Sequence, residues 1–224
     1  MSSLVYLNLM GNQLTEIPSG SFKSLHRLSK LYLSENRISN IHREAFLGLS
    51  HLHWLFMNKN KLRSVAPGTF LGLERLYWLD LRENEIRDLN DGEAFQDLLS
   101  LAWLDFEGND IRGITANSFA ANTSLFVLVL KNNNIRTVDS DSFTSHRTLI
   151  ELDLSDNQIL HLPMGLFDNL HILEILRLQN NPLTSIPTEL FNSLGSLIEL
   201  NLTGIINSNI SAEMFDSLTS LEKV

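Results

Sequence analysis

The chain has 224 residues, no cysteine, five prolines, 43% hydrophobic residues and a formal net charge of −9. That apolar content excludes a disordered chain, which could not offset its ordering entropy, and the missing cysteine excludes a disulfide scaffold, a thiolate metal site and a cysteine nucleophile in this segment. The acidic balance argues against nucleic acid, whose binding rests on Lys and Arg neutralising phosphates, and the longest uncharged stretch, 113–130, holds too many Thr, Asn and Ser residues to span a membrane.

An excess of leucine (44 residues) and asparagine (22 residues) directs attention to internal repetition. The first unit opens at Leu4 and runs Leu7, Leu9, Asn12, Leu14, Ile17, Pro18, Phe22, Leu25. Equivalent openings follow at Leu28, Leu52, Leu76, Leu101, Leu125, Leu149, Leu173, Leu197 and Leu221, at intervals of 24 residues except for one of 25. Leu7 and Leu9 lie two apart and therefore share one face of a strand. The three-residue step from Leu4 lets the chain enter that strand through a bend. Asn12 follows where the backbone must turn. A carboxamide carries donors and an acceptor, so stacked asparagines can satisfy turn groups that would otherwise be buried unpaired. Asn36, Asn60, Asn84, Asn109, Asn133, Asn157 and Asn181 hold the same place, which predicts a ladder. On the return arm Phe22, Phe46, Phe70, Phe95, Phe119, Phe143, Phe167, Phe191 and Phe215 predict an aromatic spine. Only stacked units can bury these rings, at about 1.5–3 kcal/mol for each large apolar side chain.

The pattern breaks at definite places. In repeat four Leu89 and Phe95 are six apart instead of five, and the extra residue falls in the turn-forming run Asn90-Asp91-Gly92. A tolerated bulge on the convex arm is expected there, with a dedicated contact loop as the alternative. Repeats five and six carry Asn122 and His146 in place of the arm leucine, which predicts local loosening. His51 and His53 have no carboxylate or cysteine at ligand spacing, so no metal and no cofactor are expected. Repeat nine departs at Ile205 and Asn207 and recovers at Ile210 and Phe215. No signal peptide is visible at the N-terminus. Both ends run straight into repeats without the polar caps that solenoid ends need, so the chain is expected to be a fragment.

This 24-residue pattern resembles the leucine-rich-repeat family, in the type common to animal cell-surface and secreted proteins such as Toll-like receptors, Slit-like proteins, small proteoglycans and variable lymphocyte receptors. The resemblance covers essentially the whole chain. It implies an α/β-type solenoid: a right-handed horseshoe with a parallel β-sheet on the concave face and mostly irregular or short-helical convex arms. It implies a single array over 1–224, with nine full repeats and a truncated tenth. It also implies a non-enzymatic module that binds a protein or peptide ligand on the concave face, within a cell-surface receptor or a secreted binder. The alternative is a cytoplasmic or matrix scaffold that uses its convex face or ends. Extracellular members keep their cysteines in the caps, so the absence of cysteine says little about the compartment.

The outward strand registers are expected to carry function. One register reads Tyr6, Lys30, Trp54, Trp78, Trp103, Val127, Glu151, Ile175, Glu199; the next reads Asn8, Tyr32, Phe56, Asp80, Asp105, Val129, Asp153, Arg177, Asn201. All three tryptophans share one register in successive repeats. With Tyr6, Tyr32, Phe56, Val127 and Val129 they form a contiguous patch, read as a binding surface. The competing account is a cross-strand ladder that only stabilises the sheet, at about 0.2–1 kcal/mol per pair. Asp80, Asp105, Glu107, Glu151, Asp153 and Asp156 flank the patch, either as a solvated strand face or for recognition of a basic or apolar partner surface. Three glycosylation sequons occur, at Asn122, Asn201 and Asn209. They matter only in the secretory pathway; Asn122 sits in a core-facing register and is a poor acceptor, whereas a glycan on Asn201 would block that end of the sheet.

Overall fold

The computed structural model describes residues 3–89, 92–205 and 210–224. In chain order its strands are β1 (Tyr6–Asn8), β2 (Glu16–Ile17), β3 (Lys30–Tyr32), β4 (Asn40–Ile41), β5 (Trp54–Phe56), β6 (Trp78–Asp80), β7 (Trp103–Asp105), β8 (Gly113–Ile114), β9 (Val127–Val129), β10 (Thr137–Val138), β11 (Glu151–Asp153), β12 (Ile175–Arg177) and β13 (Glu199–Asn201). One strand from each repeat joins a nine-stranded parallel sheet in the order β1-β3-β5-β6-β7-β9-β11-β12-β13. The register never slips: Leu31 pairs with Leu55, Leu55 with Leu79 and Leu79 with Leu104, so equivalent positions of successive repeats are lateral neighbours. The return arms are mostly turns. Two short parallel pairs, β2–β4 and β8–β10, join neighbouring arms, and 3-10 helices occupy Thr188–Phe191 and Ala212–Phe215. This is the parallel-sheet solenoid that the resemblance to leucine-rich repeats implied. Among the described residues no helix is long and apolar enough to cross a membrane.

The strand leucines Leu31, Leu55, Leu79, Leu104, Leu128, Leu152, Leu176 and Leu200 are completely buried, as are Phe46, Phe70, Phe119, Phe143, Phe167 and Phe191. Successive spine rings stand 5.9 to 6.5 Å apart where they stack. The loosening expected at Asn122 and His146 is absent. Asn122 is buried and its Nδ2 donates to the carbonyls of Phe95 (3.0 Å) and Leu98 (3.3 Å). His146 is fully buried, lies edge-on to both Phe119 and Phe143, and its Nε2 donates to the Phe119 carbonyl at 3.1 Å. An N–H of each finds a carbonyl of the preceding repeat, so each replaces a leucine while staying buried, although Asn122 Oδ1 and His146 Nδ1 are buried without a hydrogen-bond partner among the described residues. Burial holds the imidazole below its ordinary pKa, which keeps it neutral.

The asparagine ladder is built as its spacing predicts. Asn133 is typical: Nδ2 donates to Leu130 O and Phe106 O at 3.0 Å, and Oδ1 accepts from Ile111 N–H at 3.0 Å. Each rung thus ties its own turn to the repeat before it. Asn12, with no preceding repeat among the described residues, is exposed and keeps bonds only to Leu9 O and Met10 O. The residue just before each rung is left-handed, including Glu35, Lys59, Glu83, Asn132, Asp156 and Asn180, with φ between 50° and 57°. Asn90, Asp91, Asn207 and Asn209 lie outside the described residues, so the repeat-four insertion, the repeat-nine departure and one sequon fall largely there.

Candidate recognition surface

Strand alternation sends the leucines inward and the residues beside them to the concave face. There the aromatic side chains form one path. Tyr6 and Tyr32 have ring centroids 5.0 Å apart, Tyr32 and Phe56 stack at 4.5 Å, Phe56 reaches Trp78 at 6.5 Å, and Trp78 stacks on Trp103 at 4.1 Å with planes within 8°. The path changes register twice, between Tyr6 and Tyr32 and again between Phe56 and Trp78, where the middle position becomes Asp80 in repeat four. Trp54 stands beside it and carries Lys30 Nζ 4.4 Å above its ring. Tyr6 is exposed, and Tyr32, Trp54, Phe56, Trp78, Trp103 and Val129 are half-buried. Val127, the lateral neighbour of Trp103 in the same register, is buried. The indole N–H groups of Trp78 and Trp103 are shielded from solvent and have no protein acceptor among the described residues, so ring packing alone holds that pair.

The acidic residues behave differently from a solvated strand face. Asp80, Asp105 and Asp153 are only 2%, 7% and 6% exposed. Each closes its strand end by accepting the backbone N–H two residues on: Arg82 at 3.1 Å, Glu107 at 2.9 Å and Ser155 at 2.9 Å. Asn8 and Asn201 do the same with amide oxygens. This is the Asx geometry that favours Asp and Asn at turns. Neighbouring repeats then cover the carboxylates, which strand alternation alone does not reveal. Arg82 grips Asp80 with two hydrogen bonds, of 3.0 and 2.8 Å, and reaches Asp105 at 3.4 Å. Burial pushes the Asp105 carboxyl up to about 7, against the pull of the Glu107 N–H and Arg82. Burial also raises Asp153, opposed by its bonds to Ser155.

Further along the sheet, Lys131 pairs with Glu107 at 3.3 Å, Arg177 bridges Glu151 and Glu199, and Lys223 pairs with Glu199 at 3.0 Å. The face therefore sets Lys30, Arg82, Lys131, Arg177 and Lys223 against Asp80, Asp105, Glu107, Glu151, Asp153 and Glu199. It is close to neutral in a chain of net charge −9, and every one of these cations is engaged by an acid or a ring. The Arg82 clamp was the contact that strand registers alone left unassigned, although its position two residues after Asp80 was a usable signal. Of the sequon asparagines, Asn122 is buried, and Asn201 is half-buried with Oδ1 engaged by Thr203 N–H.

Family models described as Leucine rich repeat match residues 2–62, 57–111, 107–159, 123–183 and 173–194. Among solved structures, the TLR13–ssRNA13 complex superimposes with a TM-score of 0.91 at 30% identity, over 100% of this chain and 32% of that one. The Toll–Spatzle complex of Drosophila follows with 0.76 at 23% identity, over 99% and 32%. A leucine-rich-repeat protein of Leptospira interrogans gives 0.74 at 25% identity, over 95% and 57%. The chain thus spans about a third of the TLR13 and Toll chains. No curated protein sequence matches it. TLR13, of the same fold, was solved with single-stranded RNA, so the acidic balance of this chain does not by itself exclude nucleic acid, contrary to the expectation from composition. Repeats matched by family models over most of the length, on a solenoid of this register, make the chain a member of the leucine-rich-repeat family.

Proposed function

We propose that this segment is the recognition module of a cell-surface receptor or secreted binder, and that it holds a protein or peptide ligand on its concave face. The observation that carries the reading is the unbroken path Tyr6–Tyr32–Phe56–Trp78–Trp103 across five repeats. Half-buried, preorganised aromatic side chains give large contact area at low entropic cost, and Trp and Tyr dominate interface energetics. Trp54, Val127 and Val129 extend the apolar surface. Asp80, Asp105 and Asp153 act mainly by shaping it: all three fix strand ends, and Asp80 and Asp105 also orient Arg82. The likeness to TLR13 and Toll, each solved with a bound partner, supports a recognition role over a purely structural one.

Single-stranded RNA is the second reading, favoured by the TLR13 likeness and by aromatic rings that can stack on bases. Against it, the rings stack on one another, and among the described residues the concave cations Arg82, Lys131, Arg177 and Lys223 are paired with acids while Lys30 lies over Trp54. Panning a displayed peptide library on the purified protein and titrating the best binder tests the choice. Trp78→Ala and Trp103→Ala should each weaken that peptide at least about tenfold, as expected for anchor residues worth more than about 1.4 kcal/mol. Unchanged affinity in both variants refutes the concave anchor. A 13-nucleotide RNA that binds more tightly and is lost in Trp103→Ala moves the assignment to nucleic acid.

A further inference from the structure

Away from the concave face, on the flank that follows the asparagine ladder, one register is basic. Arg63, Arg87, Arg112 and Arg136 each stand three residues after a rung, in four consecutive repeats, and Arg37 and Lys61 stand one residue after theirs. All six are exposed. In these two registers they face only Glu85 and Asp110. The acids are spent on the first half of the row: Arg63 pairs with Glu85 at 2.9 Å and Arg87 with Asp110 at 3.7 Å. In repeats six and seven the partner position carries an amide, Asn134 and Gln158. Arg136 Nε donates to Gln158 Oε1 at 3.0 Å, Gln158 donates to Asn134 at 2.8 Å, and Asn134 donates to Asp110 at 3.2 Å. Arg112 has no ionic or hydrogen-bond side-chain partner among the described residues.

Arg112, Asn134 and Arg136 line a groove of about 420 Å³. Arg136 also borders a second groove of about 480 Å³, walled by Val138, Leu160, Leu162 and Pro163. Leu160 takes the arginine register in the next repeat and is 46% exposed. Asp139 also lines this apolar groove, with no ion pair among the described residues. The surface therefore passes within one repeat from two guanidinium groups without an ion pair among the described residues, Arg136 being held only by the neutral Gln158 amide, to an apolar wall flanked by a carboxylate.

We propose that these joined grooves bind an acidic peptide segment, with its carboxylate between Arg112 and Arg136 and the adjacent apolar side chain against Leu160. A guanidinium holds a carboxylate through two parallel charge-assisted bonds, and complementary charge steers the encounter in a chain that is otherwise acidic. A polymer of uniform negative charge fits less well: its charges would run across Leu160 and onto Asp139. A peptide changes from acid to apolar within one residue. This site is separate from the concave aromatic path and does not rest on it.

Fluorescence anisotropy with labelled dodecapeptides tests the proposal, using alternating Glu-Leu, all-Glu and alternating Lys-Leu, alongside a single-stranded RNA dodecamer and a sulfated hexasaccharide. The Glu-Leu peptide should bind at least fivefold more tightly than the all-Glu peptide, and the Lys-Leu peptide should not bind. Arg112→Glu with Arg136→Glu should weaken Glu-Leu binding at least tenfold, and Leu160→Ser should remove the preference over all-Glu. If the double reversal lowers the melting temperature, Arg112→Gln with Arg136→Gln serves in its place and should still weaken binding. Equal affinity for both acidic peptides, tighter binding of the RNA or the sulfated sugar, unchanged binding in both double variants, or loss of the peptide in Trp103→Ala overturns the proposal.

Discussion

Asparagines of identical sequence context should contribute very differently according to their place in the stack. Consider Asn133→Ala. The Oδ1 atom of Asn133 is the acceptor for Ile111 N–H, in a fully buried residue, and truncation leaves that donor without it. A buried donor left unpaired costs about 1–3 kcal/mol. The carbonyls of Phe106 and Leu130 lose one donor each but keep another, from Asn109 at 3.0 Å and Asn157 at 2.9 Å, so their loss is partial. The sum is about 2–3 kcal/mol. Asn12→Ala removes bonds at an exposed turn whose Leu9 carbonyl still receives Asn36, and should cost less than about 0.5 kcal/mol. Guanidinium titration followed by tryptophan fluorescence reads repeats three to five, next to Asn133. The midpoint should fall at unchanged slope, since the change concerns stability rather than buried area. Equal losses for the two variants, or a loss within about 0.5 kcal/mol for Asn133→Ala, would refute the reasoning.

The left-handed turn makes a second prediction. Gly108 has φ of 71°, and a methyl group there would meet Glu83 Cγ only at an ordinary 3.5 Å, so Gly108→Ala should cost about 1 kcal/mol through backbone strain alone. Glu83, at φ of 50° in the equivalent position, should gain about 0.5–1 kcal/mol as Glu83→Gly; thermal melts of both variants check the opposite signs. A third concerns pH. Asp105 is raised from 3.8 to about 7, so the native state holds its proton more tightly, and stability present below 3.8 is lost as pH rises towards 7. His146 is lowered from 6.5, so its contribution is present above 6.5 and lost as pH falls. Asp105→Asn should therefore gain on wild type as pH rises from about 4 to about 7, and His146→Leu should gain as pH falls below 6.5. Denaturation midpoints that stay parallel to wild type across that range would count against both assignments.

The period carried most of the fold into view. Leucines two apart, a rung asparagine and a phenylalanine at fixed offset place core, turn and spine, because each repeat buries its apolar side chains only against its neighbours. The concave aromatic register was legible for the same reason: Trp54, Trp78 and Trp103 share an offset and therefore a row. Two substitutions were misjudged. Asn122 and His146 break the leucine pattern, yet both are buried, because carbonyls of the preceding repeat accept their N–H groups. A pattern of residue types does not show which backbone groups lie across the stack.

The sequence by itself determined the register, that is, which side chains face the core, the ladder and the concave surface. Exposure within that surface was decided only in the tertiary structure. Asp80, Asp105 and Asp153 point outward by alternation, yet neighbouring repeats bury them, and Arg82 gathers two of them from adjacent strands. The same lateral stacking turns Tyr32, Phe56, Trp78 and Trp103, which sit in two registers, into one path, and it sets Arg112 beside Arg136. The reason is geometric: a solenoid brings residues about 24 positions apart into contact, and the environment of a side chain is set by those neighbours rather than by the residues beside it in the chain.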